Sequence, residues 1–290
     1  MNNYKISAFI DEYSDDLNTQ VEALKKYGIK YVELRHCNGK NVAEFTPEDL
    51  AEIKSAFDNA GISVSSIGSP IGKIPVDGNI EDHLKTAEKI FAMANALGTK
   101  YVRMFSFYIP DGKSPEDYRE IVISHIGRLI DAADKYGVVL CHENEAKIYG
   151  ESPERCLDLL MHFGGKLRCV FDMGNFVLDG YEPYPHAFGI LKDYIEYFHI
   201  KDALYQGAIV PAGLGEASVR DVLTSYVDLY KKDVFVTLEP HLQTFAGLNA
   251  LVGKSFDNPF KYENQQVAFD DDVDKFFKLM KGECDEGIFR

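Results

Sequence analysis

The chain has 290 residues, 46% of them hydrophobic, enough to bury a large core as one barrel or two small domains. Its 31 basic and 46 acidic residues leave a net charge of −15, which argues against a nucleic-acid partner because phosphates would meet a repulsive mean field. The five cysteines form no C-x-x-C pair, the opening MNNYKISAFIDE lacks the layout of a secretory signal, and no apolar run approaches the ~18 residues of a membrane span, so a cytoplasmic protein with no membrane partner is expected.

Short β-branched runs alternate with helical stripes, and eight strand–helix units fit without a spare element. Strands are expected at Lys5–Ile10, Lys30–Arg35, Ser63–Ile67, Lys100–Phe105, Val138–Glu143, Arg168–Asp172, Tyr197–Lys201 and Val234–Glu239, each apolar enough to be buried on both faces. Leu17, Val21 and Leu24 form the stripe of the first helix, Ile121, Ile126, Leu129 and Ala133 that of the fourth, and Val222, Leu223, Tyr226 and Tyr230 that of the seventh. Glycines punctuate helix-to-strand passages such as KYGIKYVEL and ALGTKYVRM, where a residue past the helix end needs a left-handed conformation. Thr46, Ser114 and Ser152 each precede a proline and an acid, the pattern of a capped helix start.

Eight βα units with no glycine-rich nucleotide turn after the first strand favour a single α/β domain, a (β/α)8 TIM barrel over residues 1–290, against a doubly wound sheet. Two segments exceed the minimal repeat: Ser69–Ile80 after strand three, and the loop His241–Asp270 between strand eight and the last helix. Both lie on the side where βα loops build a site, which makes them candidates for a lid or for a contact in a homo-oligomer.

In a βα barrel, chemistry collects at the C-terminal ends of the strands. Here strand five ends in CHENEA, strand six in FDMGN, strand seven in FHIKD and strand eight in LEPH, so Glu143, Asp172, His199 and Glu239 stand on four consecutive strands. Three carboxylates buried together repel one another and lose hydration, at several kcal/mol, unless a cation offsets them. One divalent metal supplies that charge. One imidazole with three carboxylates suits Mn²⁺ or Mg²⁺ best, with Zn²⁺ and Co²⁺ also compatible.

With these motifs in hand, the sequence resembles the xylose-isomerase-like barrel superfamily, the sugar phosphate isomerase/epimerase group that also holds the ketose 3-epimerases, inosose dehydratase and endonuclease IV. The resemblance covers nearly the whole chain and rests on ENE around Glu143, D-x-x-N from Asp172 to Asn175, H-x-K-D from His199 to Asp202, P-x-G-x-G from Pro211 to Gly215, and LEPH around Glu239. It implies that Glu143, Asp172, His199 and Glu239 hold the metal and that Glu143 and Glu239 also exchange protons with a sugar-like small molecule. Asn175 stands where many relatives carry histidine. Asn175 can bond a substrate but is a poor metal ligand, which weakens a DNA-repair reading.

Around this set, period-two parity turns Lys201 to the side of His199, either to hold a substrate oxygen or to pair with Glu143 or Asp172. Glu33 and Arg35 share a side of strand two and, with Arg103 on strand four, are candidates to orient sugar hydroxyls or to form ion-pair layers at the barrel top; Arg103 is the stronger candidate for a ligand contact, and Glu12 could pair with it. His241 shares the side of Glu239, as a ligand contact or an orienting residue. Lys73 and the glycines of QGAIVPAGLGEA are weak candidates for a phosphate; His142 is expected against a helix and Asp202 in a structural role. The leading expectation is a metal-dependent isomerase or epimerase of a sugar, sugar phosphate or polyol acting through an ene-diolate. A dehydratase or lyase on an inosose or keto-sugar, and a non-catalytic sugar-binding barrel, are the alternatives.

Overall fold

The structure, a computed structural model, describes residues 3–242 and 260–283. All eight expected strands form: β1 Tyr4–Ala8, β2 Tyr31–Leu34, β3 Ser63–Ile67, β4 Tyr101–Met104, β5 Val139–Glu143, β6 Leu167–Asp172, β7 Ile195–Ile200 and β8 Val234–Leu238. They make one parallel sheet in the order β1-β8-β7-β6-β5-β4-β3-β2. Strand β1 pairs with β8 from Tyr4 opposite Val234 to Ala8 opposite Leu238, and β2 lies beside β1 without a ladder, so the barrel is nearly closed.

The intervening helices are α1 Leu17–Tyr27, α2 Pro47–Ala60, α3 Ile80–Leu97, α4 Arg119–Asp134, α5 Pro153–His162, α6 Met173–Leu178, α7 Val219–Tyr230 and α8 Gln265–Lys281. Their apolar stripes cover the outside of the sheet. Leu17, Val21 and Leu24 of α1 and Val222, Leu223 and Tyr226 of α7 are buried, as their spacing predicts. In α4, Ile126, Leu129 and Ala133 are buried as their spacing predicts, but Val122 takes the place of Ile121, which is exposed. Thr46 and Ser152 cap their helices through backbone amides; Ser114 instead bonds the Glu116 carboxylate.

At the strand C-terminal end, the end of β1 and the length of the last loop differ from expectation. The chain leaves β1 after Ala8, because Ile10–Glu12 coils into a 3-10 turn that carries Asp11 and Glu12 over the barrel mouth. The segment Ser69–Ile80 is stitched to its neighbour, with Phe105 N–H donating to Ile71, Phe107 to Gly72 and Tyr108 to Ile74. Gly72 lies so close to the Phe105 carbonyl that a Cβ there would come within 1.9 Å of its oxygen, and its φ of +85° is one that side chains rarely adopt. The expected loop His241–Asp270 is shorter than proposed, since α8 already begins at Gln265 with Asn264 as its cap; residues 243–259 lie outside the described part.

Asp202, expected to be structural, organises the segment after β7. Its carboxylate accepts from the amides of Ala203, Gly213, Gly215 and Ala217 at 2.9–3.0 Å, which draws the PAGLG stretch around it. A Cβ at Gly215 would lie 2.2 Å from that carboxylate. The amides of Gly213 and Gly215, candidates for a phosphate in the sequence, are thereby already occupied. Asp202→Ala strands four buried donors, so a loss of about 2–4 kcal/mol is expected in urea denaturation, well above that of a surface Asp→Ala change.

Candidate metal centre

Register brings the strand ends together. Asp172 on β6 is directly opposite His199 on β7, and β7 pairs in turn with β8, beyond whose last residue Glu239 projects. Glu143, Asp172, His199 and Glu239 are all buried, and one ligand atom from each lies within 4.8 Å of all the others. His199 Nδ1 is 2.9 Å from Glu143 Oε1 and 3.2 Å from Glu239 Oε2. Oε2 of Glu143 and Oε2 of Glu239 are buried without a hydrogen bond of good geometry, with Arg103 at 3.2 Å from the first and Lys201 at 3.4 Å from the second, which leaves them lone pairs that a cation could take. The four residues therefore fit a divalent ion by donor type, proximity and unsatisfied oxygens.

Local structure holds each one. Asp172 ends β6 and caps α6: its Oδ1 accepts from Asn175 N–H at 2.8 Å, so the second oxygen faces the barrel axis and takes Lys201 Nζ at 2.9 Å. The turn is tight enough that a Cβ at Gly174 would lie 2.7 Å from the Lys201 side chain and carbonyl. Asn144, in the middle of the ENE motif, ties β5 to β6 by accepting Asp172 N–H and donating to the Asp172 carbonyl. Parity assigned Asn144 no role, because its side chain bonds sideways along the strand ends.

The candidate substrate residues divide. Lys201 adopts the ion-pair alternative, on Asp172 and within 3.4 Å of Glu239, and it also bonds the Asn175 carbonyl oxygen at 2.9 Å. Asn175 donates to the Asn144 carbonyl, so both ends of its amide are engaged within the protein. Arg103 reaches Glu143 at 3.2 Å and the Gly68 carbonyl at 3.2 Å. Its expected partner Glu12 pairs instead with Arg35, at 3.2 Å, because the turn after β1 stands over β2 and not over β4. Arg35 also binds Asp11 at 2.9 Å and Glu239 at 3.0 Å, with its guanidinium stacked 4.1 Å from the centre of the Phe9 ring. His241 stands 3.2 Å from Glu12 and 3.3 Å from Glu239, and its own amide donates to Glu12. Lys73 pairs with Glu145 above Phe105. His142 turns away from the axis to bond Ser106. Glu33, expected at the mouth beside Arg35, lies instead beneath His199 and bonds its Nε2 at 3.1 Å. Glu33 precedes Arg35 by two residues on the same side of the chain, which sets it one layer deeper in the barrel.

Charge sets the proton states. Burial disfavours an ionised Glu143, but the charges of His199 and Arg103 outweigh it and hold the carboxyl down at about 2. Glu239 is likewise held well below the carboxylate range, Lys201, His241 and His199 prevailing over burial. Burial works against the His199 imidazolium, yet Glu143, Glu33 and Glu239 raise its pKa well above 6.5. Burial, with Lys201 nearby, drops His241 to about 4, so it is neutral.

Eight parallel strands with a buried carboxylate–histidine cluster at their C-terminal ends define a TIM barrel with a candidate divalent-metal centre. A family model described as Xylose isomerase-like TIM barrel matches residues 21–222, and the chain belongs to that family. It is 27% identical over 127 residues to the 2-oxo-tetronate isomerase of Haemophilus influenzae, a match that spans 40% of this chain and 45% of the relative. Among solved structures it resembles the D-allulose 3-epimerase of a Methylomonas species in complex with D-allulose, with TM-score 0.74 and 13% identity over 96% of this chain and 97% of that one. It also resembles the IOLI protein with a bound zinc atom, with TM-score 0.74 and 15% identity over 96% and 98% of the two chains. Among the described residues, no helix is long and apolar enough to cross a membrane.

The raised pKa of His199 has a measurable consequence. In the metal-free protein His199 is protonated at pH 7, and a metal must displace that proton. Affinity for Mn²⁺ is therefore expected to rise as pH rises through neutrality, with about one proton released per ion bound, measured by calorimetry in buffers of differing ionisation enthalpy. The sign for stability is opposite: the imidazolium's contribution to the metal-free fold is complete below the unfolded His value of about 6.5 and is lost as pH rises through the folded value. Affinity independent of pH would remove His199 from the ligand set.

Proposed function

We propose that the protein is a divalent-metal-dependent isomerase or epimerase of a sugar, sugar phosphate or related polyol. The single observation that supports it most is the pairing of Glu143 and Glu239, two buried, ionised carboxylates that approach one imidazole from neighbouring positions. A divalent ion held by Glu143, Asp172, His199 and Glu239, with Mn²⁺ the best match to so oxygen-rich a set, would polarise a substrate carbonyl and its adjacent hydroxyl.

The chain's own residues then have these tasks. One glutamate removes the proton from the carbon beside the carbonyl, and either the same or the other returns it to the ene-diolate. Delivery of a proton to the same carbon by a second, protonated glutamate from the opposite face would invert that carbon; delivery to the former carbonyl carbon, with a hydroxyl proton passing the other way, would move the carbonyl. Basicity is adjustable here, since a neutral His199 no longer applies the charge that chiefly lowers Glu143. Lys201, Arg103 and Arg35 neutralise neighbouring carboxylates and are available to hydrogen-bond substrate oxygens as negative charge develops on them. Asn175, Glu12 and His241 stand beside these carboxylates and cations and are the further candidates for substrate contact. The family and the sugar-converting relatives favour this reading.

The test is solvent deuterium exchange into a panel of ketoses by the Mn²⁺-loaded protein. Wild type should incorporate deuterium beside the carbonyl, and Glu239→Gln should slow incorporation by about 10²–10⁴-fold. Full turnover by Glu239→Gln would remove that residue from proton transfer. A product lighter by one water would assign a dehydratase instead, and ligand binding without exchange would assign a sugar-binding barrel.

A further inference from the structure

We propose that Glu33 is a positioning residue for the metal centre, fixing which nitrogen of His199 faces the ion. The inference rests on the metal-site part of the reading above and is independent of any substrate.

Glu33 is fully buried on β2, beneath the four clustered residues and outside their number. Among the described residues its ion-pair partner is His199 alone, with neither lysine nor arginine in contact. A carboxylate in such a place costs several kcal/mol of lost hydration unless its charge is used by a neighbour. The basic group in contact with that charge is His199. Oε2 lies 3.1 Å from His199 Nε2 and also accepts the Thr237 hydroxyl at 2.9 Å. Oε1 accepts the Tyr197 hydroxyl at 3.0 Å, and that hydroxyl is braced at 2.9 Å by Ser66. Strands β2, β3, β7 and β8 thus each contribute to holding one carboxylate, and with both oxygens bonded it cannot turn.

The imidazole is restrained as well. The Phe9 ring meets it edge-on with centroids 5.1 Å apart, and Tyr197 packs against it at 5.5 Å. An anionic acceptor at Nε2 requires a neutral imidazole to carry its single proton there. The lone pair is then on Nδ1, the atom facing Glu143 and Glu239. Without Glu33, the neutral ring could place its proton on Nδ1 and bond Glu143, presenting no lone pair to an ion. The carboxylate also makes Nδ1 a stronger donor by polarising the opposite N–H.

The test is isothermal titration of metal-free protein with Mn²⁺, with no substrate present. Glu33→Gln removes the charge and retains the shape; its Kd for Mn²⁺ is expected to weaken by about 10–100-fold. A second readout is the visible absorption of the Co²⁺-loaded protein, which should change in band position or intensity because the imidazole's donation changes. An unchanged Mn²⁺ Kd in folded Glu33→Gln overturns the proposal while leaving the metal site standing; absence of Mn²⁺ binding by wild type overturns the metal site itself. Should Glu33→Gln fail to fold, Tyr197→Phe removes one bond to the carboxylate and keeps its charge, with an expected weakening of about 2–5-fold; no weakening there overturns the proposal equally.

Discussion

Six carboxylates, those of Asp11, Glu12, Glu33, Glu143, Asp172 and Glu239, are buried at one end of this barrel, and the mutual repulsion among them is the constraint that the surrounding structure answers. Arg35, Arg103, Lys201 and a protonated His199 interleave with them, each in contact with at least one carboxylate and most with two or more. Removing any single cation would leave buried negative charge unopposed, which is a larger penalty than the net value of the pair it breaks. The arrangement is therefore a network in which the effect of one substitution depends on the others.

Within that network the oxygens are not equally used. Asp172 is anchored through one oxygen to the start of α6 and through the other to Lys201, and Arg35 is occupied by three carboxylates. Glu143 and Glu239 keep an oxygen each without a hydrogen bond of good geometry, faced only by the charges of Arg103, Lys201 and His199. The contrast separates groups whose role is to support from groups with capacity left for a ligand. It also explains why the candidate substrate residues are drawn into ion pairs: the cations are needed to compensate charge before any substrate arrives, and a substrate oxygen can share them.

The scaffold makes this concentration of charge affordable. Parallel strands with apolar faces and helices packed outside them bury a continuous core, while the loops after β3, β4 and β5 are bonded to one another at the same end. Asp202 performs a similar task after β7, gathering four loop amides about one carboxylate. Loops tied in this way hold side chains within tolerances that ligand binding needs.

Read alone, the sequence determined the eight strands, the α/β barrel and the convergence of Glu143, Asp172, His199 and Glu239. Each of these follows from local periodicity together with the rule that parallel strands end on one face. Tertiary structure decided the pairings. Glu12 belongs to Arg35 and not to Arg103, Lys201 takes Asp172, and the glycines after β7 serve Asp202. Glu33 meets His199 across the barrel, a contact that no alternation of apolar residues reveals. The reason is common to all of them: which way a side chain points is a local property of the strand, whereas which charge it meets depends on strand neighbours far away in sequence and on small shifts of register between them.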